Sequence, residues 1–260
     1  MDAEVLLAHA LKTDRRGLYL SLSNLVSEQE KETLQSLIAR RINGEPVSYI
    51  IGEKEFWSLT FKVNPAVMIP RPETETLVEA TLKIFSPYSS PSILEIGTGS
   101  GAIAIALAME LPQASIIATD ISFKALMIAM ENASSHEIRS IRFIEGSLYE
   151  PFEGESELFD LIISNPPYIP TNEISQLPPG LRDYEPHIAF NGEADGLAFY
   201  RAIIQKAPVY LKPGGYLLLE LGIGQGHDVA KLMVKTGKLS LPEIINDLSG
   251  IERVIKTYRI

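Results

Sequence analysis

The feature that most limits how this chain can fold is a series of short apolar runs after Pro91, each separated from the next by a longer stretch. SILEIG (Ser92–Gly97), ASIIATD (Ala114–Asp120), IRFIEG (Ile141–Gly146), FDLIISN (Phe159–Asn165) and GYLLLELG (Gly215–Gly222) are nearly continuous in apolar residues. Strands of this kind are buried on both faces, as happens when helices cover a parallel sheet from two sides. Ala102–Glu110, Phe123–Ala133, Leu197–Leu211 and Asp228–Lys235 read as the helices between them. At the end, EIINDL and RVIKTYR flank Ser249–Gly250 as a hairpin, which would give the sheet an antiparallel edge. The expected class is α/β, a mostly parallel sheet with an antiparallel C-terminal hairpin.

The first part of the chain reads differently. From Asp2 to about Arg41 apolar residues recur at helical spacing, and Ser27 with Glu30 forms a capping-box signal. Asn43–Pro46 closes a helix, and Tyr49–Val67 reads as extended, with a hairpin around EFWSLTFKV. In IPRPETETLVEA a helix is expected to begin at Pro72, with Glu73 and Glu75 in a first turn where carboxylates suit the helix dipole. The organisation expected is a helical N-terminal domain over 1–45, a linker with a hairpin and the IPRPETE segment over 46–80, and the main domain over 81–260.

Composition removes several classes of function. The chain has no cysteine, so disulfides, a thiol nucleophile and cysteine-based zinc sites are excluded. Its four histidines show no ligand pair at helical spacing, so no metal is expected. A formal charge of −10 weighs against tight, non-specific binding to a phosphate backbone. Without a leader pattern or a long uninterrupted apolar stretch, a cytoplasmic protein with no membrane contact is expected.

Two segments carry chemistry. SILEIG runs into GTGSGA, and glycines there let a backbone turn tightly and approach a ligand at a helix N-terminus. Asp120, at the end of the next strand, is placed to accept hydrogen bonds from ribose hydroxyls. The loop by itself fits both G-x-G-x-G, as in S-adenosylmethionine enzymes, and the permissive G-x-G-x-x-A form of a dinucleotide fingerprint. The second segment is SNPPYIP (Ser164–Pro170), at the end of strand FDLIISN. Asn165 brings a carbonyl acceptor. Pro166 brings a backbone carbonyl whose direction Pro167 restricts, and Tyr168 brings an aromatic face.

Two acceptors aimed at one planar –NH2 group suit methylation of an amide or exocyclic amino nitrogen. Its lone pair is delocalised, so orientation and polarisation matter more than a strong base. A nicotinamide dehydrogenase has no use for such a segment. The residues therefore favour a methyltransferase acting on an amide or an exocyclic amino nitrogen. NPPY taken alone resembles the motif of DNA adenine and ribosomal RNA guanine methyltransferases, which implies a nucleobase amino group as the alternative substrate.

LEIGTGSGAIAIALA, ATDIS, SNPPYIP and IPRPETETLVE, in their order along the chain, resemble the release-factor glutamine methyltransferases, the PrmC/HemK family. PVSYIIGEKEFW and YEPHIAFNGEADGL extend the resemblance over nearly the whole chain. It implies a class I, Rossmann-like methyltransferase domain with a small helical N-terminal domain that helps dock the partner. It also implies methyl transfer from S-adenosyl-L-methionine to N5 of the glutamine in the GGQ motif of class 1 peptide-chain release factors. Carried over by matching positions, Gly97, Thr98, Gly99, Ser100, Gly101, Asp120, Leu148 and Asn165 would bind cofactor. Asn165, Pro166, Pro167 and Tyr168 would hold the glutamine amide. Where the family often has an acidic residue after the third strand, this chain has Ser147, followed by Leu148. Met1 leads directly into DAEVLLAHAL, where relatives carry a further helix, so a short or trimmed helical domain is expected. Arg71 is read as either a cofactor contact or a linker brace, Glu95 as either a partner for the methionine amine or a buried strand-end group, and Trp57 as core packing.

Overall fold

The computed structural model describes residues 2–20, 25–154 and 158–260. The chain opens with helices α1 (Asp2–Ala10), α2 (Arg15–Leu20), α3 (Glu28–Ile42) and α4 (Val47–Ile51). Residues 21–24 of the expected helical segment lie outside the described residues. Ser27 caps α3 through the expected box, its hydroxyl accepting from the Glu30 N–H while the Glu30 carboxylate accepts from the Ser27 N–H. Leu6, Ala10, Leu37 and Ile50 pack these helices on one another.

Helix α4 corrects the extended reading of Tyr49 onward. Its β-branched residues have only moderate helix propensity, but tertiary burial overrides that preference. One helical turn lets Tyr49 face a cluster with Val63, Val67 and Ile69, while Ile50 faces α1 and α3. Gly52 then ends the turn in the left-handed conformation, φ +81°. The hairpin follows as expected, β1 (Glu53–Phe56) pairing antiparallel with β2 (Leu59–Lys62). Its two-residue turn places Trp57 and Ser58 at φ +53° and +58°. Trp57 is fixed there by hydrogen bonds from its backbone N–H to Glu75 (2.7 Å) and from its indole N–H to Glu110 (2.8 Å). A 3₁₀ turn over Pro72–Thr74 leads into α5 (Glu75–Leu82).

The rest alternates: β3 (Ser92–Ile96), α6 (Ala102–Glu110), β4 (Ser115–Asp120), α7 (Phe123–Ser135), β5 (Ile141–Glu145), β6 (Phe159–Ser164), α8 (Pro179–Tyr184), α9 (Ala198–Tyr210), β7 (Leu211–Glu220), α10 (Gly226–Lys235), β8 (Glu243–Asn246) and β9 (Glu252–Tyr258). The seven-stranded sheet has the order β5-β4-β3-β6-β7-β9-β8. Its first five strands are parallel and the C-terminal hairpin is antiparallel, as the sequence led one to expect. Apolar clusters cover the two faces. One includes Leu77, Ile105 and Leu107 of α5 and α6; the other includes Ile203, Val229 and Met233 of α9 and α10.

This strand order determines where a site can form. The chain runs outward from β3 to β4 and β5, then returns to lay β6 against the other side of β3. Between β3 and β6 the winding reverses, and the loops after these strands diverge to leave a crevice at their carboxyl ends. Ile96 pairs with Ser164, so the glycine loop and the Asn165 segment leave the sheet side by side.

Candidate active site

A cavity opens at this switch point, lined by the glycine loop, Asp120, Leu148 and the segment after β6. Of the residues singled out in the sequence, Gly97, Thr98, Gly99, Ser100, Asp120, Leu148, Asn165, Pro166 and Pro167 all face it. Gly101 and Tyr168 do not.

The glycine loop is built by backbone geometry. Gly97, Gly99 and Gly101 have φ of +76°, +55° and +83°, where a Cβ is strained. A Cβ on Gly97 or Gly99 would meet nothing within 4 Å, because both border the open cavity. At Gly101 it would lie 3.1 Å from the Cβ of Ala129 on α7. Gly101 therefore permits α6 to pack on α7. Asn132, fully buried on α7, braces the same loop: its amide donates to Ser100 O (2.9 Å) and its oxygen accepts from Lys62 N–H of β2 (2.7 Å).

Asp120 completes the cradle. One carboxylate oxygen accepts from Gly99 N–H and the other from Ser122 N–H, each at 2.9 Å. Burial raises its pKa and these backbone donors oppose that rise. Glu95, beneath the loop, is 1% exposed and lines the cavity. Its Oε2 accepts from the Thr98 hydroxyl (2.7 Å), while Oε1 has no hydrogen-bond partner. Burial pushes its pKa up to about 7, with Thr98 opposing and the nearby Asp120 charge adding to the rise. The structure thus puts Glu95 both at the strand end and on the cavity wall. Ser147 lines the cavity beside Leu148, which sits at φ +53°, a conformation a γ-branched residue keeps only when its surroundings hold it.

After β6, Asn165 Nδ2 donates to the hydroxyl of Thr74 (3.3 Å), at the end of the 3₁₀ turn in IPRPETE. Tyr168 turns away from the cavity. It packs against the core cluster that includes Ile203 of α9, and its hydroxyl donates to Glu220 (3.4 Å) at the end of β7. Burial and the Glu220 charge push its pKa up. Gln225 holds Tyr168 from its backbone carbonyl (3.0 Å), so the whole residue is anchored toward β7. The aromatic expected to face a planar substrate is replaced at the cavity wall by Phe199, with Ile188 and Pro186 nearby. Arg71 is not on the cavity lining and pairs with the buried Glu185 (2.5 Å).

Sequence reasoning gave no role to Thr74, Glu220, Asn132 or Phe199. The first lies inside a quoted motif and the last follows the quoted YEPHIAF stretch, so their neighbourhood was marked without their contacts.

Comparison with known proteins agrees with this architecture. Residues 1–52 match the PrmC N-terminal domain model, and residues 73–176 match the methyltransferase small domain. In the fold alone the chain is similar to the T. thermophilus 16S rRNA N2 G1207 methyltransferase, solved with AdoMet and guanosine. That likeness has a TM-score of 0.56 at 15% identity and covers 80% of this chain and 50% of that one. A methyltransferase from Pyrococcus furiosus gives 0.55 at 19% identity, over 86% of this chain and 98% of that one. In sequence it is 44% identical over 255 residues to the release factor glutamine methyltransferase of Geobacter sulfurreducens, covering 98% of this chain and 88% of the relative. The protein of the same name from Thermodesulfovibrio yellowstonii is 41% identical, with 98% and 90% covered. With such identity carried along nearly its full length, the chain belongs to the release factor glutamine methyltransferases.

Proposed function

We propose that this enzyme transfers a methyl group from S-adenosyl-L-methionine to the side-chain amide nitrogen of the glutamine in the GGQ motif of class 1 peptide-chain release factors. The observation that carries the reading is a single cavity lined by the glycine loop and Asp120 together with Asn165 and Pro166. The donor set fits the cofactor. Gly97 and Gly99 leave open the space a Cβ would fill, and the orphaned Oε1 of Glu95 lies where a cationic amine can reach it. Asp120 would meet the ribose, Leu148 the adenine, and Thr98 and Ser100 would shape the loop between them. When bound, the cofactor supplies an electrophilic sulfonium methyl.

The chain's own residues then do two things. Asn165 Oδ1 and the Pro166 carbonyl accept from the two hydrogens of the substrate –NH2, with Pro167 keeping that carbonyl aimed. This orients the nitrogen and draws electron density onto it without removing a proton first; once the nitrogen has taken the methyl, one of its two protons is released to solvent. Pro186, Ile188 and Phe199 make the neighbouring lining apolar, which lowers the polarity around those hydrogen bonds. Tyr168 acts from behind the wall rather than as a stacking surface. In this proposal residues 1–45 form the helical unit that helps dock the release factor, 46–80 the linker and 81–260 the transferase. The names of the relatives favour a protein amide over a nucleobase amino group. Among the described residues, no helix is long and apolar enough to cross a membrane.

The test is transfer of label from S-adenosyl-L-methionine to a release factor with its GGQ glutamine intact or replaced. Label only on the intact form is the expected result. Equal labelling of both forms, or transfer to RNA or DNA alone, would overturn the proposal.

A further inference from the structure

The acceptor segment after β6 cannot hold its own shape by backbone hydrogen bonding. Pro166 and Pro167 have no N–H, so neither can donate a bond that would keep the Pro166 carbonyl in place. The aim of that carbonyl and of Asn165 must come from the two ends. Upstream, Ser164 is paired in the sheet, and its hydroxyl donates to Ile96 O (2.7 Å). Downstream, Tyr168 and Ile169 lie beyond the strand and need another hold.

That hold comes from Asn191–Gly196, in the loop before α9, none of which lines the cavity. Ile169 N–H donates to Phe190 O and Gly192 N–H donates to Ile169 O, both at 2.8 Å, and Thr171 N–H donates to Glu193 O (2.9 Å). The two stretches approach too closely for side chains. A Cβ on Gly192 would lie 2.8 Å from Tyr168 Cα, and one on Gly196 would strike the Tyr168 carbonyl. Gln225, between β7 and α10, ties the two together. Its Nε2 donates to Tyr168 O (3.0 Å) and Gly196 O (3.4 Å), while its Oε1 accepts from Gly222 N–H (3.2 Å). Carbonyls only accept and a peptide N–H only donates, so these three backbone groups leave the Gln225 amide one orientation.

We propose that Gln225 is a positioning residue for methyl transfer, binding Tyr168 to Gly196 and thereby holding the Pro166 carbonyl and Asn165 where they meet the substrate –NH2. The FNGEADG part of the YEPHIAFNGEADGL stretch gains a role with it, as the surface against which the acceptor segment is held. Both act through the backbone of Tyr168 and Ile169 and touch neither substrate nor cofactor. The inference rests on the reading of Asn165 and Pro166 as the amide acceptors and adds the groups that fix them.

The experiment measures kcat for methylation of a purified release factor at saturating substrates, with calorimetry counting cofactor sites per chain and their affinity. Gln225→Met keeps the length and removes both donors and the acceptor. It should lower kcat per cofactor-binding site by roughly 10- to 100-fold, since misplacing a reacting group by about 1 Å costs that much. Cofactor affinity and the number of sites should stay within about twofold of wild type. Gln225→Glu keeps the shape and the bond from Gly222 but sets a carboxylate oxygen against two carbonyls. It should lose at least as much turnover, and it serves if Gln225→Met folds poorly. Full turnover per site in both variants would overturn the inference. So would a loss of cofactor sites or affinity in step with turnover, or failure of both variants to fold, since Gln225 would then be a structural residue only. The functional reading stands in all these cases, while a wild-type enzyme inert on the release factor would overturn both.

Discussion

Arg71 and Glu185, 114 residues apart, form an ion pair that ties the IPRPETE segment to the loop between α8 and α9. The Glu185 side chain is 2% exposed and also accepts from Ile69 N–H (3.0 Å), so it anchors the segment's backbone as well as its arginine. Removing the cation leaves a buried carboxylate without its main partner. Arg71 is itself about a third exposed, and solvent would recover part of the loss. Arg71→Ala should therefore destabilise the protein by about 2 kcal/mol, read as a lower urea midpoint at unchanged slope. An unchanged midpoint would show that the pair contributes nothing to holding Thr74 at the cavity.

Asn165→Ala separates binding from turnover. The side chain lines the cavity on the segment after β6, aimed in this reading at the substrate amide, so cofactor affinity should stay nearly intact. Turnover should fall at least ~10²-fold, the usual effect of losing one positioned polar group. Unchanged turnover would mean that the segment after β6 is only a turn.

Gly99 and Gly101, two residues apart in sequence, give a contrast. Gly99→Ala meets no neighbour within 4 Å, so its stability cost is limited to backbone strain of about 1–2 kcal/mol. Its new methyl projects at the cavity, and cofactor affinity should drop. Gly101→Ala meets Ala129 at 3.1 Å, and adds that overlap to the same strain. It should be the less stable of the two by thermal melting, with the smaller direct effect on affinity once folded. The reverse ranking would contradict the roles assigned to these positions.

Glu95 predicts a pH dependence. Its pKa in the folded protein is raised to about 7 from an ordinary 4.5, so folding favours its protonated form. The stability this contributes is complete below the unfolded value and is lost as pH rises through about 7; Glu220, likewise raised to about 7, acts in the same direction. Relative to wild type, Glu95→Gln should therefore gain on the order of 2–3 kcal/mol between pH 5 and pH 8 in chemical denaturation without cofactor. Cofactor affinity of the wild type should rise over the same range, as the ionised carboxylate meets a cationic amine. In Glu95→Gln that rise should vanish; its persistence would remove Glu95 from the cofactor site.

The parallel sheet, the C-terminal hairpin, the capped helix α3 and the loops that carry the chemistry were all legible in the chain before any coordinates. Each of these is written in contiguous residues: the apolar runs, the glycines of GTGSGA, and Ser27 with Glu30. Local periodicity and backbone restriction act over a few residues, so they are legible without coordinates.

Only the tertiary structure decided which loops meet. The return of β6 beside β3 put Asn165 next to the glycine loop, and the same packing brought Thr74, 91 residues away in sequence, against its amide. It turned Tyr168 toward Glu220, made Gly101 a helix-packing residue, and folded Val47–Ile51 into a helix between two cores. These outcomes depend on burial and on pairing between distant polar groups, whose energies exceed local preference and leave no period in the chain.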